Sequence, residues 1–474
     1  MTRPVSTAVP RRRPAYRAVL AVVAGSTFLA MLAYSGPLGN VVTLSQAFGS
    51  SRAGSTWILA SMSVGLAVTL LAAGVVADRI GHRRVFRLGA VVFTAASVVS
   101  ALAGTTPVFV LARVVAGAGA TGMIATGLGL AGAVSAHARH RATTATAWSA
   151  AMGAGIALGP LLTGLLDLIG AWRGFYGLLA LGGLAVWAGT RRLPGGTGLG
   201  RSAPSRRFDL AGFTLLTVFL AVAVTAIVEV RAGGPVTATV LFAVAALLFG
   251  ALIASQRIGT ARLVDPRLFT HRPFQAATVA GFGTGIGVVA TMSFACTFLV
   301  DGLGMSTLQA GALLAAWSGT SAVAALLLAR HTAKVSATVQ LVTGLGGVTV
   351  GLALVTGISA TSGIGRLMPG LIVAGLASGL LNTGLARQAV ATVPADDAAM
   401  GTGANNTARY LGSSIGVSAA SIIATGGDLV AGWDRVVWLG AAASLASAIL
   451  VTILSRRART SPAAPPIRSP SSPP

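Results

Sequence analysis

Charge is scarce in this chain. Only 9% of its 474 residues are Asp, Glu, Lys or Arg, against roughly 25% in a soluble protein, so most of it has no aqueous surface to decorate. Cys296 is the only cysteine, which excludes an intrachain disulfide and a cysteine-based metal site. Lys334 is the only lysine, and 10 acids face 34 basic residues. Signatures of chemistry are missing too. There is no Walker lysine motif, no nucleophile elbow, no metal-ligand cluster and no paired carboxylate inside an apolar run. The letters GAGATG from Gly117 to Gly122 mimic a dinucleotide loop, but they lie in an apolar run without the required strand. The expectation is therefore no enzyme, no cofactor and no metal, and no ATP-driven work by this chain. A membrane enzyme acting on lipid is the alternative of another class, and it lacks clustered polar catalytic residues.

What fills the space is hydrophobic residues, at 54%, and 62 glycines. In a bilayer, glycine lets helix backbones approach where packing drives association. The reading is an all-α polytopic membrane protein. A hydrocarbon core of about 30 Å needs about 20 apolar residues in helix. Fourteen stretches qualify: 18–44, 55–77, 85–104, 107–134, 143–168, 172–190, 210–230, 236–256, 274–300, 307–329, 336–358, 364–386, 403–424 and 433–455. The first is too long for a signal-peptide core of about 7–15 residues, so it is read as an uncleaved span.

The net charge of +24 does not mark a nucleic-acid binder, because the arginines are spread through loops. With both ends inside and the spans alternating, 27 of the 34 basic residues fall on the cytoplasmic side. Arg52, Arg173, Arg231, Arg366 and Arg435 fall outside, and Arg113 and Arg409 lie within spans. That bias fixes the expected orientation. Two basic, polar breaks divide the chain. The expected organisation is a cytoplasmic basic tail (1–17), a six-helix bundle (18–192), a linker (193–209) and two extra helices (210–256). A second linker (257–273), a second six-helix bundle (274–455) and a disordered cytoplasmic tail (456–474) follow. Arginine in place of lysine, with abundant alanine, points to a GC-rich bacterium.

Three motifs carry the functional reading. GVVADRIGHRR, residues 74–84, is a short basic turn with one acid between two apolar spans. Its pattern resembles the loop between spans two and three of the major facilitator superfamily. In that family the element latches the outward-facing state, a role the resemblance gives to Gly74, Asp78, Arg79, Gly81 and Arg83. LARVVAGAGATG places Arg113 inside a span, where a guanidinium is costly unless paired or hydrated; the alternative is that it snorkels to the external surface. It resembles the family's span-four motif, linked to proton transfer, with Ala116 in the usual glutamine position. GAGIALGPLLTG holds Gly155, Gly159, Pro160 and Gly164. It resembles the antiporter helix of exporting members, with Thr163 replacing a glycine. Trp172-Arg173, LGMSTLQAG (303–311) and NNTARYLGSSIG (405–416) are weaker echoes in the right order. Six plus two plus six spans resembles the fourteen-span drug/proton antiporter branch.

The resemblance implies a major facilitator fold of fourteen helices and a substrate site between pseudo-symmetric halves. It implies a monomer in the cytoplasmic membrane, partnered by protons, lipid and an amphipathic or hydrophobic small molecule moving outward. Tyr34, Asn40 and Trp57 are the expected cavity residues. Proton-independent facilitation or uptake is the alternative. One departure matters: Ser35 stands where many fourteen-span pumps carry an aspartate. No acid is expected at mid-membrane, so either the substrate is neutral or anionic, or the coupling acid is Asp78, Asp167, Glu229 or Asp301. All five histidines are expected in cytoplasmic loops. In a Cys296→Ser background, cysteines placed by Ser202→Cys and Thr237→Cys should react with impermeant label from opposite sides of the membrane. Labelling of both from outside alone would end the fourteen-span topology.

Overall fold

A chain in lipid must satisfy its backbone polar groups internally, and long apolar runs do so as helices. The computed structural model describes residues 16–133, 138–193, 209–232, 234–258, 270–328, 335–359, 362–393, 398–424 and 429–460. Every regular element among them is helical. The helices are α1 (Tyr16–Ser35), α2 (Val41–Phe48), α3 (Arg52–Ile80), α4 (His82–Leu102), α5 (Thr106–Ala133), α6 (Ala138–Leu168), α7 (Trp172–Gly189) and α8 (Leu210–Ala232). They continue as α9 (Pro235–Ile258), α10 (Arg272–Thr284), α11 (Thr291–Thr297), α12 (Thr307–Leu328), α13 (Ala337–Leu354), α14 (Ile364–Ala391), α15 (Ala398–Ala424) and α16 (Leu429–Thr460).

Each of the fourteen expected stretches is helical, but 12 helical segments among the described residues are long and apolar enough to cross a membrane. The other two stretches are α7 and α15. The first opens on Trp172 and Arg173, and the second carries Asn405, Asn406 and Arg409 mid-helix. Both are packed into the bundle, α7 against α4 and α15 against α3 and α10.

The first stretch is not one rod. Gly36 and Pro37 break it into α1, a 3-10 turn over Gly36–Gly39, and the short α2, because proline cannot donate the helical bond and clashes with the preceding turn. A second departure lies in 274–300. There α10 and α11 run on through two π-helical turns, Gly285–Ala290 and Phe298–Gly302. The tail expected to be disordered from 456 begins as helix, since α16 reaches Thr460. Most of the expected linkers and tails (1–15, 194–208, 259–269 and 461–474) lies outside the described residues. Of the caps, that of α12 is legible in sequence. Ser306 Oγ accepts from Gln309 N at 3.2 Å and Gln309 Oε1 accepts from Ser306 N at 2.9 Å, the reciprocal capping box.

Two apolar cores form. One is built mainly from the helices up to α8, with Leu216, Leu220, Val224 and Val228 of α8 joining it, and it takes in Phe274 of α10, Ala386 of α14 and Met400 and Tyr410 of α15. The other is built from α10 to α16. The outer helix α9 leaves Val236, Val240 and Leu247 exposed, which is the expected face toward lipid. Glycine sets the closest crossings. Gly117 of α5 meets Gly65 of α3, while Gly119 and Gly122 meet Gly89 of α4. A Cβ at Gly119 would strike the backbone of Gly89 and Phe93, which cannot rotate away. Gly119→Ala should therefore lower the melting temperature of the purified protein, at a cost of about 1–3 kcal/mol. Gly177→Ala, with open space beyond its Cα, should not. Equal melting of the two variants would show that these crossings tolerate a methyl group.

Candidate functional site

Asp78 lies in the last turn of α3. That helix stops at Gly81, whose φ of 102° suits a residue without a Cβ, and α4 starts at once on His82. The chain reversal brings His82 Nε2 to 3.2 Å from Asp78 Oδ1. The other oxygen, Oδ2, accepts from Met400 N at 2.8 Å. Met400 is in the first turn of α15, where backbone N–H groups lack helical partners and the helix dipole favours an anion. Asp78 thus ties α3, in the N-terminal half of the chain, to α15, in the C-terminal half. Gly403, one turn further along α15, packs on the backbone of Leu70 and Leu71. Gly74 is buried in α3, while Arg79 and Arg83 are half-buried. His82 corrects the expectation that all histidines lie in loops: it opens a helix and is 1% exposed.

Arg113 does not snorkel. It is 1% exposed and its Nη1 donates to Ala33 O of α1 at 2.7 Å. Its Nε and Nη2 have no partner among the described residues, and neither does the Tyr176 hydroxyl of α7. The charge therefore sits within the first core, between α5, α1 and α7.

The Gly-Pro helix α6 lies along α1 and its break. Gly155 meets the backbone of Phe28 and Leu32, and Gly159 meets Ser35 and Gly36. Thr163 Oγ1 lies 2.8 Å from Gly36 O and 3.0 Å from Gly159 O. The departure from glycine at Thr163 thus supplies a polar link to the broken end of α1. Gly164 faces Leu308 of α12 at a looser 3.6 Å.

Between the two cores are cavities of about 230 Å³ and about 50 Å³. Tyr34 and Ser293 line both. The larger reaches Ala424 and Leu429, at the far end of α15 from Asp78. The bundle is drawn together at the Asp78 end and hollow toward the other. The first π-helical turn of the α10–α11 rod borders the smaller cavity through Val288 and Val289, a common setting for such turns, and Phe294 and Thr297 of α11 face the larger. The smaller cavity holds Arg409, Tyr410 and Asn382. The Tyr34 and Tyr410 rings meet edge to face with centroids 5.9 Å apart. Sequence reading placed Arg409 only within a span and missed Tyr410, Asn382 and Ser413. A signal was present, since Asn405, Arg409 and Ser413 recur at spacing four on one helix face.

Of the expected cavity residues, only Tyr34 takes that place. Trp57 Nε1 donates to Glu229 Oε1 at 3.0 Å and lines a separate apolar groove between α3, α5 and α8. Asn40 is 2% exposed, and its amide has no partner among the described residues; it lines neither central cavity. The Gly36–Pro37 break turns the chain after Ser35, so Asn40 does not continue the face of α1 that carries Tyr34. The acids stay near helix ends. Asp167 Oδ2 accepts from Thr43 at 2.6 Å, and Asp301 is exposed in the second π turn.

This arrangement of two helical cores around a central cavity has counterparts. Residues 23–417 match the family model described as Major Facilitator Superfamily. The chain belongs to the major facilitator superfamily. It is 27% identical over 424 residues to "Multidrug resistance protein Stp" of Mycobacterium tuberculosis, covering 88% of this chain and 76% of that one. It is 30% identical to "Probable actinorhodin transporter" of Streptomyces coelicolor, over 85% of this chain and 71% of that one. With "Multidrug efflux pump LfrA" of Mycolicibacterium smegmatis it shares 26%, over 89% and 83%. Among solved structures, the human organic anion transporter MFSD10 superposes with a TM-score of 0.66 at 18% identity, covering 92% of this chain and all of that one. The proton:xylose symporter XylE gives 0.66 at 14%, over 92% and 95%. This major facilitator protein is thus a multi-pass membrane transporter by family and fold, and not an enzyme.

The Asp78 contact yields a direct test. Asp78→Asn keeps an acceptor near Met400 N but removes the charge facing the helix dipole, worth up to about 2 kcal/mol when partly buried. Transport should fall about tenfold or more, with normal insertion and yield. Near wild-type transport by a correctly inserted Asp78→Asn protein would reduce the motif to a topology signal.

Proposed function

We propose that this chain is a proton-coupled exporter of amphipathic or hydrophobic small molecules in the bacterial cytoplasmic membrane. It works as a monomer of fourteen spans with both termini inside. The observation that carries the reading is the cavity, hollow toward one end of the bundle and closed off at the end where Asp78 holds α15. With 27 basic residues assigned to the cytoplasmic side, that closed end is cytoplasmic and the cavity faces out. The relatives support export, since two of them are named for multidrug resistance and for multidrug efflux. The Gly-Pro seam of α6 on α1 supports it as well. The fourteen-span count rests on α7 and α15, which are less apolar than the rest but packed among them.

Asp78, with Arg79, Gly81 and Arg83 in the same turn, acts as the latch of the outward-facing state. Its bond to α15 exists only while the two cores are together at that end, so it biases the equilibrium toward closure there. Arg113 contributes to coupling by holding a fixed positive charge beside α1. A carboxylate must carry the proton. Asp167 is the first to test, because one of its oxygens is buried without a partner among the described residues while the other holds Thr43 of α2. Glu229 and Asp301 are the alternatives.

Reconstituted into vesicles, the protein should concentrate substrate when a pH gradient is imposed and stop when a protonophore removes it. Arg113→Ala should abolish this, and Arg113→Lys should restore only part, since lysine lacks the planar fork. Amide substitution of Asp167 should leave substrate exchange but end accumulation. Equilibration without accumulation, and without proton flux, would make the protein a facilitator.

A further inference from the structure

We propose that Arg409 anchors an anionic group of the transported molecule, so that the substrates are organic anions with an aromatic body. This rests on the transport reading above and names its substrate class. Arg409 is 5% exposed and stands on the wall of the smaller central cavity. A guanidinium keeps its charge in any protein setting, and a charge out of water needs compensation. The protein supplies the face of the Tyr410 ring, with Arg409 Cζ 5.2 Å from its centroid, a cation–π contact, and few acceptors. Nη1 meets Met152 Sδ at 3.2 Å, and a thioether is a weak acceptor. Nη2 reaches the Tyr410 hydroxyl at 3.4 Å, near the limit for a hydrogen bond. Nε has no partner, and no carboxylate lies within ion-pair distance among the described residues.

The surroundings match the charge. Among the described residues no acid lines either central cavity, and Arg409 is their one cation. A cationic substrate would meet an uncompensated like charge there. An anionic one would replace the missing acceptors, and a carboxylate or sulfonate fits the guanidinium fork. Tyr34, which lines both cavities and packs edge to face with Tyr410, offers a ring beside the fork. Asn382, Ser293 and Ser413 add uncharged polar groups. Arg113 is also buried with an unpartnered Nε among the described residues, but it differs in two respects: it donates to a backbone carbonyl at 2.7 Å and lines neither cavity. An anion also suits the export direction, because an interior-negative membrane potential pushes it outward.

Three probes with one aromatic body separate the possibilities: 1-naphthoate, 1-naphthylmethanol and 1-naphthylmethylammonium. Equilibrium binding of each to the purified full chain should favour the naphthoate by about tenfold or more. Arg409→Gln should remove that preference while leaving affinity for the alcohol, and Arg409→Lys should keep part of it. Asn382→Asp places a carboxylate in the same cavity without touching Arg409. It should weaken naphthoate binding and strengthen the ammonium probe, which keeps the test open if Arg409→Gln does not fold. Absence of saturable naphthoate binding would overturn the proposal. So would a wild-type preference for the ammonium or alcohol probe, or an anion preference surviving both Arg409→Gln and Asn382→Asp. Binding in detergent needs neither a gradient nor a direction. Failure of pH-driven accumulation would therefore remove the exporter reading and leave this one standing.

Discussion

One carboxylate holds the two halves of this protein together at one end. Asp78 is placed by the end of α3 and accepts from the first turn of α15, with His82 Nε2 3.2 Å from its other oxygen. The first turn of a helix has N–H groups to spare, so the contact needs no lysine or arginine on the partner half. It also has a property that a packed apolar surface lacks. A hydrogen bond to a helix terminus is made or broken over a short displacement, whereas dispersion between surfaces changes gradually. A bond of this kind suits a carrier with alternating access, in which one end of the bundle opens and closes.

Glycine makes the rest of the bundle compatible with that closure. Where Gly117 meets Gly65, and Gly119 and Gly122 meet Gly89, the first core is set by backbone against backbone. Such contacts have no side chain that can adapt. They favour movement of α3, α4 and α5 as a unit rather than sliding between them. The α1–α6 seam is built on the same principle but ends in a break. Gly36 and Pro37 end α1 beside Gly159 and Pro160 of the unbroken α6, and Thr163 ties the broken end to that helix. Freed carbonyls are tolerated at membrane depth only where side chains or neighbouring helices satisfy them, which is the service Thr163 performs for Gly36.

Much of this was legible in the sequence because spacing alone carries it. The register of glycine, acid and arginine in GVVADRIGHRR predicted a short basic turn between two spans, and Asp78 lies in the last turn of α3 just before it. The interruption inside 18–44 was also written in the sequence, at Gly36-Pro37, yet hydropathy averaged over it and produced one span. What could not be read was which residues face one another across the two halves. Trp57 was expected in the substrate cavity but meets Glu229 of α8 instead. An amphipathic pattern marks a buried face, and in a bundle of many helices it does not say which neighbour covers that face. Arg409 is the converse case. Its span was visible, but its place on a cavity wall depends on the crossing of α15 with α10 and α3, which leaves no trace in periodicity.

The distribution of charge then constrains how transport and coupling can be related. In a carrier of cations, one central carboxylate can bind substrate and proton in turn, and coupling follows from competition for one site. Here the central cavities present an arginine and no acid among the described residues, so competition of that kind has no group to act on. If a proton is coupled, its carboxylate lies elsewhere and must communicate through a moving element. Asp167 and Pro160 lie on the same helix, about 10 Å apart at 1.5 Å per residue. Pro160 borders the smaller cavity, while Asp167 holds Thr43 beyond the break in α1. Neutralising Asp167 would weaken its hold on α2, and α6 would be the lever by which that change reached the cavity. Coupling by such a lever is indirect, and it permits an anion and a proton to share one cycle without sharing one site.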